Sequence, residues 1–155
     1  LIHIATYYLV QRSFGRKAME FRLKNDLNEI QLLAEAIELF GEENNLPSKD
    51  LFQVNLALDE LLTNTISYGY PDTKEHEILI KYTIEDAKDL VIEVRDDGLP
   101  FDPLEREDPD ITQDIDERSI GGLGIYLVRQ MMDDINYRWE DGYNVLSMRK
   151  NLRLS

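Results

Sequence analysis

The stretch EILIKYTIEDAKDLVIEVRDDG runs from Glu77 to Gly98, and its reading decides the fold class. Ile78, Ile80, Tyr82 and Ile84 recur at every second position, and so do Leu90, Ile92 and Val94. A period of two places each set on one side of a β-strand. Glu85–Asp89 is polar and too short to hold a crossover helix, so the two strands are expected to form an antiparallel hairpin. The second strand runs directly into Asp96-Asp97-Gly98, which is good turn chemistry.

Downstream, Ile135–Trp139 and Tyr143–Met148 flank Asp141-Gly142, a strong signal for a second hairpin. Gly124–Met132 reads as a helix with Leu127, Val128 and Met131 on its apolar side. Between these, residues 96–122 carry no clean period and read as a long loop or flap. Upstream, Leu51, Val54, Leu58, Leu61, Leu62 and Ile66 follow Ser48 at helical spacing, and Gly69 and Pro71 stop that helix. An earlier helix carries Leu27, Ile30, Leu33, Ala34, Ile37 and Phe40. Asp26 and Glu29 have the spacing of a capping box at its start, and Gly41 is the expected stop. Met19–Leu23 reads as a short strand. The expected architecture is α+β: a two-layer α/β sandwich of a mixed, mostly antiparallel sheet with about three helices on one face. Residues 19–151 form its single domain, preceded by an extension, residues 1–18, of open role. The chain starts at Leu1 rather than Met, which is compatible with a piece of a longer protein.

Composition narrows the function. The 155 residues include 31 acidic and 17 basic side chains, a formal net charge of −14. Phosphate repulsion then disfavours bare nucleic acid and anionic membranes as partners. There is no cysteine and only two histidines, His3 and His76, which excludes thiolate chemistry and argues against a multi-histidine metal centre. His76 reads as a surface loop residue ahead of a strand. No apolar run approaches the roughly 20 residues of a membrane span, and the N-terminal residues do not read as a signal peptide, so a cytoplasmic location is expected.

Three segments bear chemistry. Glu60 and Asn64 lie four apart on a helix and so share a face. A carboxylate there can take a proton from an attacking hydroxyl, and an amide carbonyl there suits the oxygen shell of Mg²⁺. Asp96, at a strand end, can accept from an exocyclic amine such as adenine N6, and Gly98 allows backbone to approach a flat ring. Gly121-Gly122-Leu123-Gly124 opens a helix, where glycine amides and the helix terminus can hold phosphate. Taken singly, the same segments also read as a polar stripe, a tight turn and a hinge.

In this order and spacing, the three segments resemble the nucleotide-binding layout of the GHKL ATPases, a superfamily with the histidine-kinase-like ATPase fold. The nearest branch in appearance is the bacterial anti-sigma-factor serine/threonine kinases, which carry an E-x-x-x-N box in a stretch like Leu58–Tyr70 and an F-D pair like Phe101-Asp102. The resemblance covers roughly residues 19–151. It implies ATP and Mg²⁺ as cofactors, with Asn64 holding Mg²⁺ and Glu60 as catalytic base. It implies Asp96 on the adenine amine and Gly98 beneath the ring. Gly121, Gly122, Leu123 and Gly124 would lie along the phosphates, with Arg118 as a γ-phosphate contact. Asn144 stands near where the branch often has a threonine that holds adenine through water, Tyr68 where it often has histidine, and Pro100 where many members have a second glycine.

The resemblance further implies phosphorylation of a STAS-type anti-anti-sigma protein, sequestration of a sigma factor, and a homodimer. The alternatives are a non-catalytic ATP-binding module, or the ATPase domain of a larger regulator. The lid, about residues 102–120, holds eight acidic and two basic residues up to Arg118. It is expected to be disordered without nucleotide and to order only in part with it.

Overall fold

The computed structural model describes residues 11–13, 16–105, 107–108, 112 and 123–152. Six strands form one sheet: β1 (Gln11–Ser13), β2 (Arg16–Lys24), β3 (Glu77–Glu85), β4 (Asp89–Asp96), β5 (Asp134–Glu140) and β6 (Tyr143–Asn151). Three helices accompany them: α1 (Glu29–Glu43), α2 (Ser48–Tyr68) and α3 (Leu123–Met131). A short 3₁₀ turn spans Pro103–Glu105. The strand order is β1-β2-β3-β4-β6-β5, and every pairing is antiparallel.

The two expected hairpins are present. Asp86 and Ala87 take positive φ in the first turn, and Asp141 and Gly142 do so in the second. Two successive left-handed residues give the twist that suits a tight antiparallel turn. β2 starts at Arg16, ahead of the stretch read as strand, because β1 and β3 both supply backbone partners.

Ile78, Ile80, Tyr82, Ile84, Leu90, Ile92 and Val94 are all buried, beside Met19, Phe21 and Leu23 from β2. Leu33, Ile37, Val54, Leu58 and Leu62 from α1 and α2 close the same core. Removing such side chains from water contributes roughly 1.5–3 kcal/mol each, which is what holds the helices on this face. The opposite face carries ion pairs such as Arg22 with Glu77 at 2.7 Å and Arg138 with Glu93 at 3.3 Å. Among the described residues no helix is long and apolar enough to cross a membrane.

Local details depart from the expectations. α1 begins at Glu29 without a side-chain cap. Asp26 Oδ1 instead accepts from the Asn28 amide at 2.9 Å, and Glu29 reaches back to the Lys24 amide at 3.3 Å. The chain leaves β2 so directly that the strand end, not Asp26, offers Glu29 its donor. Gly41 lies inside α1, which runs on to Glu43, and a Cβ there would collide with the Leu51 side chain. Gly41 therefore sets how closely α1 approaches α2, and does not stop the helix. Pro47 occupies the N-cap of α2, which begins at Ser48. In α3 the buried residues are Ile125 and Val128, followed by Met132, while Leu127 and Met131 are only half-buried. The stripe is rotated because α3 packs chiefly on α2.

Candidate functional site

A cavity of about 590 Å³ opens where the C-terminal end of α2 meets the ends of β4 and β6. Val94, Ile125 and Leu146 form apolar walls, Asn64, Thr65 and Gly69 come from α2 and its cap, and Asp96 and Asn144 supply polar groups. Pro100, Phe101 and Tyr68 also line it, and Tyr68 is 81% exposed. A mostly apolar concavity of this size with few polar groups is suited to a small organic ligand.

Asp96 is the last residue of β4 and is only 7% exposed. Strand alternation points it inward, one position pair beyond Val94. Its Oδ1 accepts the Gly98 amide at 2.9 Å and the Asn144 carboxamide at 3.0 Å. Oδ2 has no protein donor among the described residues. Burial raises the Asp96 carboxyl above its usual range, the two hydrogen bonds oppose that, and nearby Asp97 adds to it. Asp96 lines the cavity, so a ligand donor entering there would meet a carboxylate in mostly apolar surroundings.

Gly98 does not line the cavity. It is buried behind Asp96, where a Cβ would lie 2.7 Å from the Gly69 carbonyl and 2.9 Å from Asp96 Oδ1. The Leu99 amide donates to that same Gly69 carbonyl at 2.8 Å. The glycine is required here by backbone packed on backbone.

Glu60 and Asn64 lie one turn apart on α2, as their spacing requires. Asn64 lines the cavity, whereas Glu60 lies against the start of α3. A Cβ on Gly124 would strike Glu60 Oε2, so the space left by the missing side chain is filled by the carboxylate. Leu123 is the first residue of α3. Arg118, Gly121 and Gly122 lie outside the described residues, as does most of the lid.

The contacts of four residues around the site were not read from the sequence. Tyr137 lines the cavity and donates its hydroxyl to Asn144 Oδ1 at 2.7 Å. Gly69, read only as a helix stop, supplies the carbonyl on which the Asp96 turn rests. Arg129 of α3 bonds the Leu104 carbonyl and pairs with Asp108 at 2.7 Å, tying the base of the lid to α3. His76 lies in the loop directly ahead of β3, as expected, and the structure adds its partners. Its ring stacks on Tyr70 with centroids 4.3 Å apart. Nε2 meets Asp72 at 2.8 Å and Nδ1 meets Asp97 at 3.1 Å. For Tyr137 the missing signal was strand pairing, and for His76 it was the meeting of loops 21 residues apart in sequence.

Residues 23–150 match the model of the histidine kinase-like ATPase domain. The chain belongs to that family. Within it, the chain is 30% identical over 97 residues to the serine-protein kinase RsbW of Listeria monocytogenes, covering 60% of this chain and 61% of the relative. It is 29% identical over 98 residues to the serine/threonine-protein kinase BtrW of Bordetella bronchiseptica, covering 63% and 68%. The match thus spans about three fifths of the Listeria relative's length. Among solved structures, the RsbU and RsbW domains of a Mycobacterium tuberculosis protein align with a TM-score of 0.63 at 12% identity. That alignment covers 87% of this chain and 32% of the other, and it shows a shared fold. The α+β sandwich expected from the two hairpins is therefore the histidine kinase-like ATPase architecture.

Proposed function

We propose that this chain binds Mg·ATP in the cavity bounded by Asp96 and Asn64 and transfers the γ-phosphoryl group to a serine or threonine of a partner protein. The observation that supports this reading is the Asp96 carboxylate in the cavity wall: its Oδ1 is held by Gly98 and Asn144, and its Oδ2 has no protein donor among the described residues. The apolar walls and a volume of about 590 Å³ fit a purine. The family to which the chain belongs uses ATP, and the names of its curated relatives support a kinase.

Mg·ATP, when bound, supplies the phosphoryl group and the cation that offsets its charge. Asn64 offers that cation a hard carbonyl oxygen from the cavity wall. Asp96 orients the base, and Val94, Ile125 and Leu146 keep water from it. Glu60 accepts the proton of the attacking hydroxyl. Gly121, Gly122 and Gly124 would hold the phosphates through their amides, and Arg118 would offset the charge of the terminal one. The partner is a STAS-type anti-anti-sigma protein, and the chain also sequesters a sigma factor. The net charge of −14 suits a basic partner surface.

The first test is calorimetric titration with Mg·ATP beside Asp96→Asn. Saturable binding in the wild type and loss of at least about tenfold in affinity in the variant, about 1.4 kcal/mol, is expected. Absence of binding at millimolar nucleotide would leave protein binding as the function. Phosphotransfer to a STAS protein that survives Glu60→Ala would remove Glu60 from the role of base.

A further inference from the structure

Asn144 is 8% exposed and sits at the start of β6, directly opposite Asp96 on β4. A primary carboxamide has two N–H donors and two acceptor lone pairs. Here all four are taken. Nδ2 donates to Asp96 Oδ1 at 3.0 Å and to the Leu99 carbonyl at 2.9 Å, with the Gly98 carbonyl at 3.5 Å beyond them. Oδ1 accepts the Phe101 amide at 3.0 Å and the Tyr137 hydroxyl at 2.7 Å. The amide cannot be turned over, because Nδ2 would then face the Phe101 N–H and Oδ1 would face two acceptors. No capacity remains for a ligand or for a bridging water, although Asn144 lines the cavity.

We propose that Asn144 is a positioning residue of the nucleotide site: it touches no ligand and acts by holding Asp96 Oδ1 and the residue 98–101 turn, so that Oδ2 alone faces the cavity. This rests on the reading of the cavity as the ATP site. It differs from the water-mediated adenine contact expected at this position from the sequence. The lock joins β4, β5, β6 and the base of the lid through one side chain. A threonine has one donor and cannot reach Asp96 and Leu99 together.

Asn144→Asp isolates the relevant half. The new carboxylate keeps an acceptor for Phe101 and Tyr137 but places a like charge against Asp96 Oδ1. At low enough pH two carboxylates at that distance hold one proton between them, and its single O–H restores the bond to Asp96 Oδ1 but not the one to Leu99, so the Asp96 half of the lock should fail near pH 8 and return near pH 5.5. The other titratable groups facing Asp96 are Asp97 of the same turn, Tyr70 after α2 and Tyr137 of β5. The tyrosines are neutral across this range, and Asp97 together with the His76 that pairs with it is present in both proteins, so the wild type controls for their titration.

The experiment compares wild type and Asn144→Asp at both pH values by two readouts. In the ligand-free protein, the Gly98 amide, which donates to Asp96 Oδ1, should lose protection from hydrogen exchange about tenfold in the variant at the higher pH only. The Phe101 amide should keep its protection and so report an intact fold. Mg·ATP affinity should fall about tenfold in the variant at the higher pH and recover at the lower. Unchanged Gly98 protection at the higher pH overturns the lock. Affinity lost equally at both pH values with Gly98 unchanged also overturns it, because Asn144 would then touch the ligand. Wild type that binds no Mg·ATP while Gly98 responds as described sinks the nucleotide reading and leaves the lock standing.

Discussion

At His76 a single imidazole joins two loops. One nitrogen holds Asp72 and the other holds Asp97, the neighbour of the buried cavity carboxylate. Hydrogen bonds to Asp72 and then Asp97 raise the His76 pKa above its ordinary 6.5. The same contact lowers Asp72. A histidine whose pKa is raised on folding adds stability that is complete below the unfolded value and fades as pH climbs through the folded one. Asp72 behaves oppositely, adding stability that is lost only as pH falls through its lowered folded value. The stability advantage of wild type over His76→Gln should therefore be largest in mildly acidic solution and shrink steadily above pH 6.5. Urea unfolding of both proteins over a pH series checks this. An advantage that grows with pH would show that stacking on Tyr70, and not the charged pairs, is what His76 contributes.

At the scale of elements, α2 and α3 meet through Glu60 and Gly124. A Cβ at Gly124 meets the far end of a flexible side chain, so it displaces the carboxylate and leaves the helices in place. Gly124→Ala should leave thermal stability nearly unchanged, since alanine also favours the helix by up to about 1 kcal/mol. Phosphotransfer should fall steeply, toward about a hundredfold, if Glu60 is the base, because a base shifted by an ångström is badly placed. A fall in stability with full activity would reverse both parts of this account. Gly98 differs in kind: its contact is the Gly69 backbone, which cannot rotate away. Both glycines were visible in the sequence as glycines. Which neighbour each one admits was not, because the neighbours lie on other elements.

Across the whole molecule, 31 acidic side chains face 17 basic ones, and the ion pairs of the exposed sheet face are largely solvated. Exposed pairs contribute about 0–1 kcal/mol each, so general repulsion outweighs them. Raising salt from about 0.01 M to about 0.15 M shortens the screening length from about 30 Å to about 8 Å. The midpoint of thermal unfolding should rise over that range, as calorimetry would record. A fall would mean that the ion pairs, and not the surplus of negative charge, dominate.

The hairpins, the three helices and the buried faces of β2, β3 and β4 were legible in the sequence, because period and turn chemistry are local properties. The E-x-x-x-N spacing was legible for the same reason: a helix converts a separation of four into a shared face. The pairing of β6 with β4 was not, and that pairing sets Asn144 opposite Asp96. Nor was the descent of the residue 98–101 turn onto Gly69, or the capture of Asp97 by His76. Each joins residues whose separation along the chain carries no periodic signal, and at Asp96 and Asn144 burial leaves polar groups few partners but one another. By itself the sequence determined the elements and the candidate acids and amides. The tertiary structure alone decided which of them share a cavity, because hydrogen-bond geometry is settled only when the strands are packed.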